Sequence, residues 1–298
     1  MTSTQKTFDI AMVGNYTKDT IITPQGTRYV DGGAINYAAH ATACLGFKTA
    51  VVTRLAEEDR RVIDKLVLAG VTCFPEFTPS STCVTLEYKT DNVDQRNLYV
   101  TATAGSITPA QLELLDPRTV VIGSTLRGEV NLDVFEYLRA RNLQVSADVQ
   151  GFVRILNGQS IEYAPWPEMG AVLSYVDILK SDAVEAEYLT GESDIEKAAR
   201  FFAALGPREI VLTHQDGVLI HADGKDFHFG FYPATMIGRS GRGDTCLGSY
   251  TAMRMKKPPE EAGRWAAAVT SLKMERPVPF DRTIDEVEAF ISKKYSNG

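Results

Sequence analysis

Short apolar runs rich in Val and Ile recur along the chain at residues 8–13, 49–53, 119–123, 144–147, 176–180 and 209–213. Each reads as a buried strand. Between or after them lie stretches with helical spacing. Residues 34–45 place Ile35, Ala38, Ala39, Thr42 and Leu45 on one face and stop at Gly46. Residues 57–69 are closed by Gly70, and further helices are predicted around 131–141, 183–190, 193–205, 244–255, 259–274 and 283–293. Strands alternating with helices predict an α/β fold whose mainly parallel sheet is covered on both faces.

One region breaks this rhythm. Residues 82–90 and 96–103 are strand-like runs joined by polar residues, which predicts a hairpin and not a βαβ unit. Residues 20–31 are also strand-like and bring no helix. Together they predict a small antiparallel sheet projecting from the body. Position alone leaves open a flap over a cleft or an edge decoration. With no repeat or linker along its 298 residues, the chain is expected to form one unit over 1–298, with lid segments at about 20–31 and 82–103.

Composition narrows the function classes. Thirty-one Lys and Arg stand against 38 Asp and Glu, a formal net charge of −7, so a nucleic-acid partner has no global electrostatic support. No apolar run approaches the roughly 20 residues that span a bilayer, and the N-terminus MTSTQKTFDI lacks the apolar core of a signal peptide. Cys44, Cys73, Cys83 and Cys246 show neither disulfide nor zinc spacing. Reduced, buried thiols in a cytoplasmic protein are expected, with no membrane partner.

The most informative segment is Gly238-Arg239-Ser240-Gly241-Arg242-Gly243-Asp244-Thr245, after an apolar strand-like stretch and before a helix. Glycines at a helix start let backbone N–H groups converge on an anion. A P-loop needs Lys where Asp244 stands, and the dinucleotide fingerprint GxGxxG is absent. A carboxylate beside an anion hole suits phosphoryl transfer, where it takes the proton of the attacking hydroxyl. The competing reading, a helix cap, needs no upstream glycine pair.

Two further clusters belong with it. Asp31-Gly32-Gly33-Ala34-Ile35-Asn36 puts two glycines before a helix, and Asn15 and Asp19 follow the first strand. Asn and Asp at a strand's carboxyl end suit a polyol, and they equally suit turns. Lys180-Ser181-Asp182-Ala183-Val184-Glu185 places two carboxylates in a first helical turn. They suit a hydrated Mg²⁺ or, more simply, the helix dipole.

Taken in order, these segments resemble the ribokinase-like carbohydrate kinases, the PfkB family. Gly32-Gly33-x-x-Asn36 is similar to its N-terminal signature, Gly241-Arg242-Gly243-Asp244 to its Gly-Ala-Gly-Asp motif, and 180–185 to its Asn-x-x-Glu magnesium motif. The resemblance implies a three-layer α/β/α fold with a mainly parallel central sheet and a small β lid. It also implies ATP and Mg²⁺ as cofactors, and phosphoryl transfer to a sugar-like hydroxyl. Asp244 would be the base, with Gly241, Arg242 and Gly243 as the anion hole. Asn15, Asp19, Gly32, Gly33 and Asn36 would hold the acceptor. Lys180, Asp182, Glu185, Thr213 and Gly217 would face the nucleotide, Asp182 and Glu185 acting on Mg²⁺ through water.

Several positions depart from the family pattern. Gly238-Arg239 replaces an Asp-Thr whose Asp helps form a monovalent-cation site in several members, so independence of K⁺ is expected, with Arg239 and Arg242 supplying charge. Asp182 stands for Asn, His214 for a glycine, and Arg242 for a small residue in the anion hole. Val13-Gly14-Asn15-Tyr16 with Asp19, and Asp148-x-Gln150 with Arg154, are similar to the family's inositol kinases, so a cyclitol ranks first among acceptors. Arg127 is a second candidate for an anionic substituent. Ribose, a nucleoside or a keto-deoxy sugar acid remain as other acceptors, and a non-catalytic sugar or nucleotide sensor remains as another class. Monomer and homodimer through the lid both stay open.

Overall fold

The computed structural model describes residues 6–90 and 97–295. The polar turn expected between the hairpin runs, with Arg96, lies outside the described residues, as do residues 1–5 and 296–298.

The chain begins with β1 (Lys6–Val13), β2 (Thr17–Thr23), β3 (Gly26–Gly32), α1 (Ala34–Cys44), β4 (Thr49–Ala56), α2 (Arg61–Leu68), β5 (Thr72–Thr78), β6 (Thr82–Glu87) and β7 (Asn97–Ala102). The middle holds β8 (Leu115–Ile122), α3 (Leu132–Ala140), β9 (Gln144–Asp148), α4 (Gln150–Val153), β10 (Arg154–Asn157), β11 (Ser160–Tyr163), α5 (Met169–Leu173), β12 (Ile178–Asp182), α6 (Ala183–Thr190) and α7 (Ile195–Ala203). It ends with β13 (Glu209–Thr213), β14 (Gly217–Ala222), β15 (Lys225–Gly230), α8 (Arg242–Arg254), α9 (Pro259–Met274) and α10 (Ile284–Lys294).

Nine strands form the central sheet in the order β15-β14-β13-β12-β9-β8-β1-β4-β5. Neighbours pair in parallel except at β13–β14 and β14–β15, so β14 alone runs against the rest. Both faces are buried. Ile10 and Met12 of β1 join the apolar cluster that holds Ile35 of α1, Tyr250 of α8 and Trp265 of α9. Ala11 and Val13 join the opposite cluster, with Phe135 of α3 and Phe202 of α7. This double burial is why the parallel strands read as unbroken apolar runs.

The smaller sheet runs β10-β11-β7-β6-β2-β3. It is mixed and not purely antiparallel: hairpins β2–β3 and β6–β7 meet through parallel pairing of β2 with β6, because α1, β4, α2 and β5 intervene as a crossover. Residues 20–31 are thus two strands. The sheet also recruits β10 and β11, and Val84, Val100 and Leu126 make a small core of its own.

Other expectations shift. Residues 57–69 split into a 3₁₀ turn at Glu57–Asp59 and α2. The segment before Gly238 is not a strand: residues 231–240 are irregular after β15. Helix α8 starts at Arg242, so Asp244 lies inside its first turn and is not its cap. All four cysteines are free, but only Cys246 is buried and the others are half-buried. Among the described residues no helix is long and apolar enough to cross a membrane.

Candidate active site

The site grows from the carboxyl ends of the central strands, where open α/β sheets expose their loops. Asp148 ends β9, and Lys180 lies near the end of β12, its direct partner in register. Lys180 Nζ donates to Asp148 Oδ2 at 2.9 Å, and the Gln150 N–H donates to Asp148 Oδ1 at 3.0 Å. Each Asp148 oxygen thus accepts one bond within the protein, one of them from Lys180, and each keeps a further lone pair. Burial alone would lower Lys180, but the carboxylates of Asp148, Glu185 and Asp182 outweigh it and keep the ammonium charged.

The Lys180 ammonium lies beneath the start of α8. A Cβ on Gly243 would sit 2.6 Å from Lys180 Nζ, so glycine makes room for this cation. Gly241, at φ 74°, takes the left-handed conformation, and a Cβ there would fall 2.1 Å from the Tyr37 ring. The first-turn N–H groups of a helix have no carbonyl of their own helix to bind. With Lys180 below them and the helix dipole behind, they make a place suited to an anion.

Asp244 is half-buried in this first turn. Burial, helped by Asp148, pushes its carboxyl up to about 6, against the opposing pull of Lys180, Arg154 and Lys273. A carboxylate with that affinity is mostly deprotonated at neutral pH yet can still take up a proton. Asp19 on β2 is also raised to about 6, by burial first and by the charges of Asp244 and Asp31 as well. Asp19 and Asp244 thus share one field across the cleft.

Buried polar atoms without a partner mark the same edge: Asn15 Oδ1, Asp19 Oδ1, Ser124 Oγ, Arg154 Nε and Thr245 Oγ1. Such atoms are normally satisfied, so those that face the cleft suit a polar ligand. Asn15 is fixed by donating from Nδ2 to the Gly105 carbonyl at 2.8 Å. Asp31 receives Tyr16, Arg61 and Lys65, which pins the chain just before Gly32 and Gly33. A Cβ on Gly32 would lie 2.3 Å from Asp19 Oδ2. Asn36 spends Nδ2 on the Asp31 carbonyl at 2.8 Å, so its amide shapes the loop.

Asp182 is the N-cap of α6. It accepts from the Glu185 N–H at 2.8 Å, while Glu185 accepts from the Asp182 N–H at 3.3 Å, a reciprocal capping box. Glu185 also faces Arg154, with 3.5 Å between Arg154 Nη2 and Glu185 Oε1. Burial and the neighbouring Asp182 raise Glu185. Among the described residues no cluster of three acidic, His or Cys side chains forms a direct metal cage. Two carboxylates fit contact with Mg²⁺ through its own waters, the usual habit of that ion.

On the far side, Thr213 ends β13 and Gly217 begins β14, joined by a turn in which the His214 N–H donates to the Gly217 carbonyl at 2.9 Å. Arg242 packs over the Phe231 ring at 5.9 Å, and His214 is lowered first by burial, with smaller contributions from His228 and Arg242. Arg127 donates to the carbonyls of Phe152, Ala164 and Pro165.

The sequence reading missed Ser124, Tyr37 and Lys273. Ser124 follows β8 at its carboxyl end, a position where the strand rule alone marks a candidate. Lys273, on α9, is 2% exposed and donates to the backbone carbonyls of Gly238 and Ser240.

Residues 6–279 match the pfkB family carbohydrate kinases. The chain belongs to that family. It is therefore a phosphotransferase, and the sensing alternative falls away. A curated relative, the cytidine kinase of Thermococcus kodakarensis, is 26% identical over 269 residues, 86% of this chain and 92% of its own. A pyrophosphate-dependent kinase of the ribokinase family, solved with sulfate, superposes with a TM-score of 0.87 at 32% identity over 94% of this chain and 99% of its own. A pyrophosphate-dependent kinase of that family complexed with a pyrophosphate analog and myo-inositol gives 0.87 at 31% identity with the same coverage. The ribokinase of Arabidopsis thaliana gives 0.78 over 96% of this chain and 99% of its own, at 19% identity, and supports the fold alone.

Proposed function

We propose that this pfkB kinase transfers a phosphoryl group from inorganic pyrophosphate to a hydroxyl of a cyclitol such as myo-inositol. The observation that carries the reading is the position of Asp244. It lies between an anion cradle (Gly243, the α8 start, Lys180) and an acceptor wall with two unpartnered oxygens, Asn15 Oδ1 and Asp19 Oδ1. Asp19 and Asn15 accept hydrogen bonds from acceptor hydroxyls and turn one of them toward Asp244. Asp244 removes that hydroxyl's proton as its oxygen bonds to phosphorus. The bond from phosphorus to the bridging oxygen breaks, and inorganic phosphate leaves with the bonding pair. Lys180 and the α8 N–H groups hold the transferred charge. Asp182 and Glu185 would hold Mg²⁺ through water, and the bound ion supplies neutralisation of donor charge.

Similarity to pyrophosphate-dependent kinases supports that donor, and so does the fixed charge of Arg242 at the start of α8, since pyrophosphate concentrates charge without a base to stack. One observation favours ATP, the donor expected from the sequence. Met236, Ile237 and Val278 are exposed apolar side chains around the loop that docks Gly238 against Arg276 and Pro277, a surface on which a purine can lie. Phosphorus NMR of product formation decides, with pyrophosphate or ATP as donor and myo-inositol, other cyclitols, ribose or cytidine as acceptor, all with Mg²⁺. Turnover of pyrophosphate with a cyclitol supports the proposal. Turnover confined to ATP refutes the donor, and turnover confined to ribose or cytidine refutes the acceptor.

A further inference from the structure

We propose that Lys273 is a built-in monovalent cation of the anion cradle, a positioning residue that holds the 238–241 loop in its working shape without an added metal ion. The inference rests on the cradle proposed above. Its basis is geometric. Lys273 lies in the last turn of α9 and is almost fully buried. Its ammonium donates to the Gly238 carbonyl at 2.9 Å and to the Ser240 carbonyl, and stands 5.1 Å from the centre of the Tyr37 ring. An ammonium has three protons, and two carbonyls and an aromatic face answer them. No carboxylate lies within ion-pair distance of it among the described residues.

Two carbonyls converging on a buried positive charge is an arrangement a bare monovalent ion would also satisfy. Here a covalently attached charge fills it. The loop it grips leads directly into Gly241 and the first turn of α8. The same loop is docked onto α9 a second time, through N–H groups of Ile237 and Gly238 that donate to the Met274 carbonyl at 2.9 Å. Tyr37 supports both ends, beneath Gly241 and beside Lys273. Fixing the two carbonyls fixes the peptide planes before the helix, and hence the direction of the N–H groups that meet phosphate. The charge also adds to the positive end of the α8 dipole. Arg239 and Arg242 are not needed for this: Arg239 donates to Met236 Sδ at 3.2 Å and Arg242 packs on Phe231.

The test compares wild type, Lys273→Met and Lys273→Arg, each checked for fold by circular dichroism and melting. In wild type, exchange of tetramethylammonium for K⁺ at constant ionic strength and saturating Mg²⁺ leaves turnover within about twofold. Lys273→Met raises the donor KM by roughly ten- to hundredfold, the scale of lost hydrogen bonds to a charged group, and leaves acceptor KM unchanged. K⁺ or NH₄⁺, but not tetramethylammonium, restores part of the loss. Lys273→Arg keeps more of the donor affinity than Lys273→Met. Calorimetry with inorganic sulfate and pyrophosphate repeats the comparison without any turnover. A protein with no kinase activity whose anion binding still follows this pattern keeps the Lys273 proposal and loses the kinase reading. Saturable activation of wild type by K⁺ overturns it and needs no variant. Equally, Lys273→Met with wild-type anion affinity, or a loss that no small cation restores, overturns it.

Discussion

Replacing Asp244 with Asn tests the base and the electrostatics of the cleft at once. Its carboxyl is raised from 3.8 to about 6, first by burial and then by Asp148. The folded state therefore binds this proton more tightly than the unfolded chain, and the ionised carboxylate costs stability. The cost is absent below about pH 4, grows between pH 4 and 6, and is complete above pH 6. Two pKa units correspond to roughly 3 kcal/mol, and partial exposure to the cleft reduces that to about 1–3 kcal/mol. An unfolding entropy of about 2.1 cal/mol/K per residue converts this to a rise of about 2–5 °C in melting temperature for Asp244→Asn at pH 8, with about half as much at pH 5. The same variant loses turnover by roughly 10²–10⁴-fold, the usual contribution of a general base, while donor affinity stays near wild type. Scanning calorimetry at pH 5 and 8, with steady-state kinetics, checks both parts. Wild-type kcat sinks the catalytic assignment. A melting shift equal at both pH values, or of opposite sign, sinks the electrostatic one.

Four further outcomes are expected. Gly243→Ala displaces the flexible end of Lys180 and raises donor KM by about tenfold with little change in melting temperature, measured by initial rates and calorimetry. Asp19→Asn weakens the acceptor, raising its KM by roughly tenfold while donor KM is unchanged, and an effect on donor alone contradicts the acceptor wall. Wild-type kcat/KM falls on the acid side near pH 6, where Asp244 and Asp19 both take up protons, and Asp244→Asn keeps only the shallower limb that Asp19 leaves. If the smaller sheet is a lid, residues 20–31, 82–90 and 97–103 gain protection from hydrogen exchange when acceptor and a donor analogue bind together, and unchanged exchange in all three argues against closure.

The pattern along the chain was enough for the parallel part of the fold, because strands buried on both faces must be apolar throughout. Residues 259–274 read as a helix from spacing alone and α9 has those bounds. The glycines before α8 and the acid inside its first turn, on which the proposed cradle rests, were legible too. Strands β10 and β11 were not legible: they are four residues each and carry polar side chains, and only pairing with β7 and with one another makes them strands. The β14–β15 hairpin left a usable mark in Asp223-Gly224, both at positive φ, that the apolar-run reading passed over. Site assignments divide the same way. Asp148 was read as an acceptor residue from its place at a strand end, and only sheet order, which sets β9 beside β12, shows that its carboxylate also holds Lys180. Asp182 and Glu185 were recognisable as a first-turn acidic pair, and the capping box is what that local spacing dictates. Lys273 could not be found from its neighbours in sequence. A lysine near a helix end reads as solvated, and only the docking of residues 237–240 onto the end of α9 removes water from it and hands it backbone carbonyls instead. Local chemistry is written in adjacent residues; which cation stands behind which loop is decided by contacts between segments far apart in the chain.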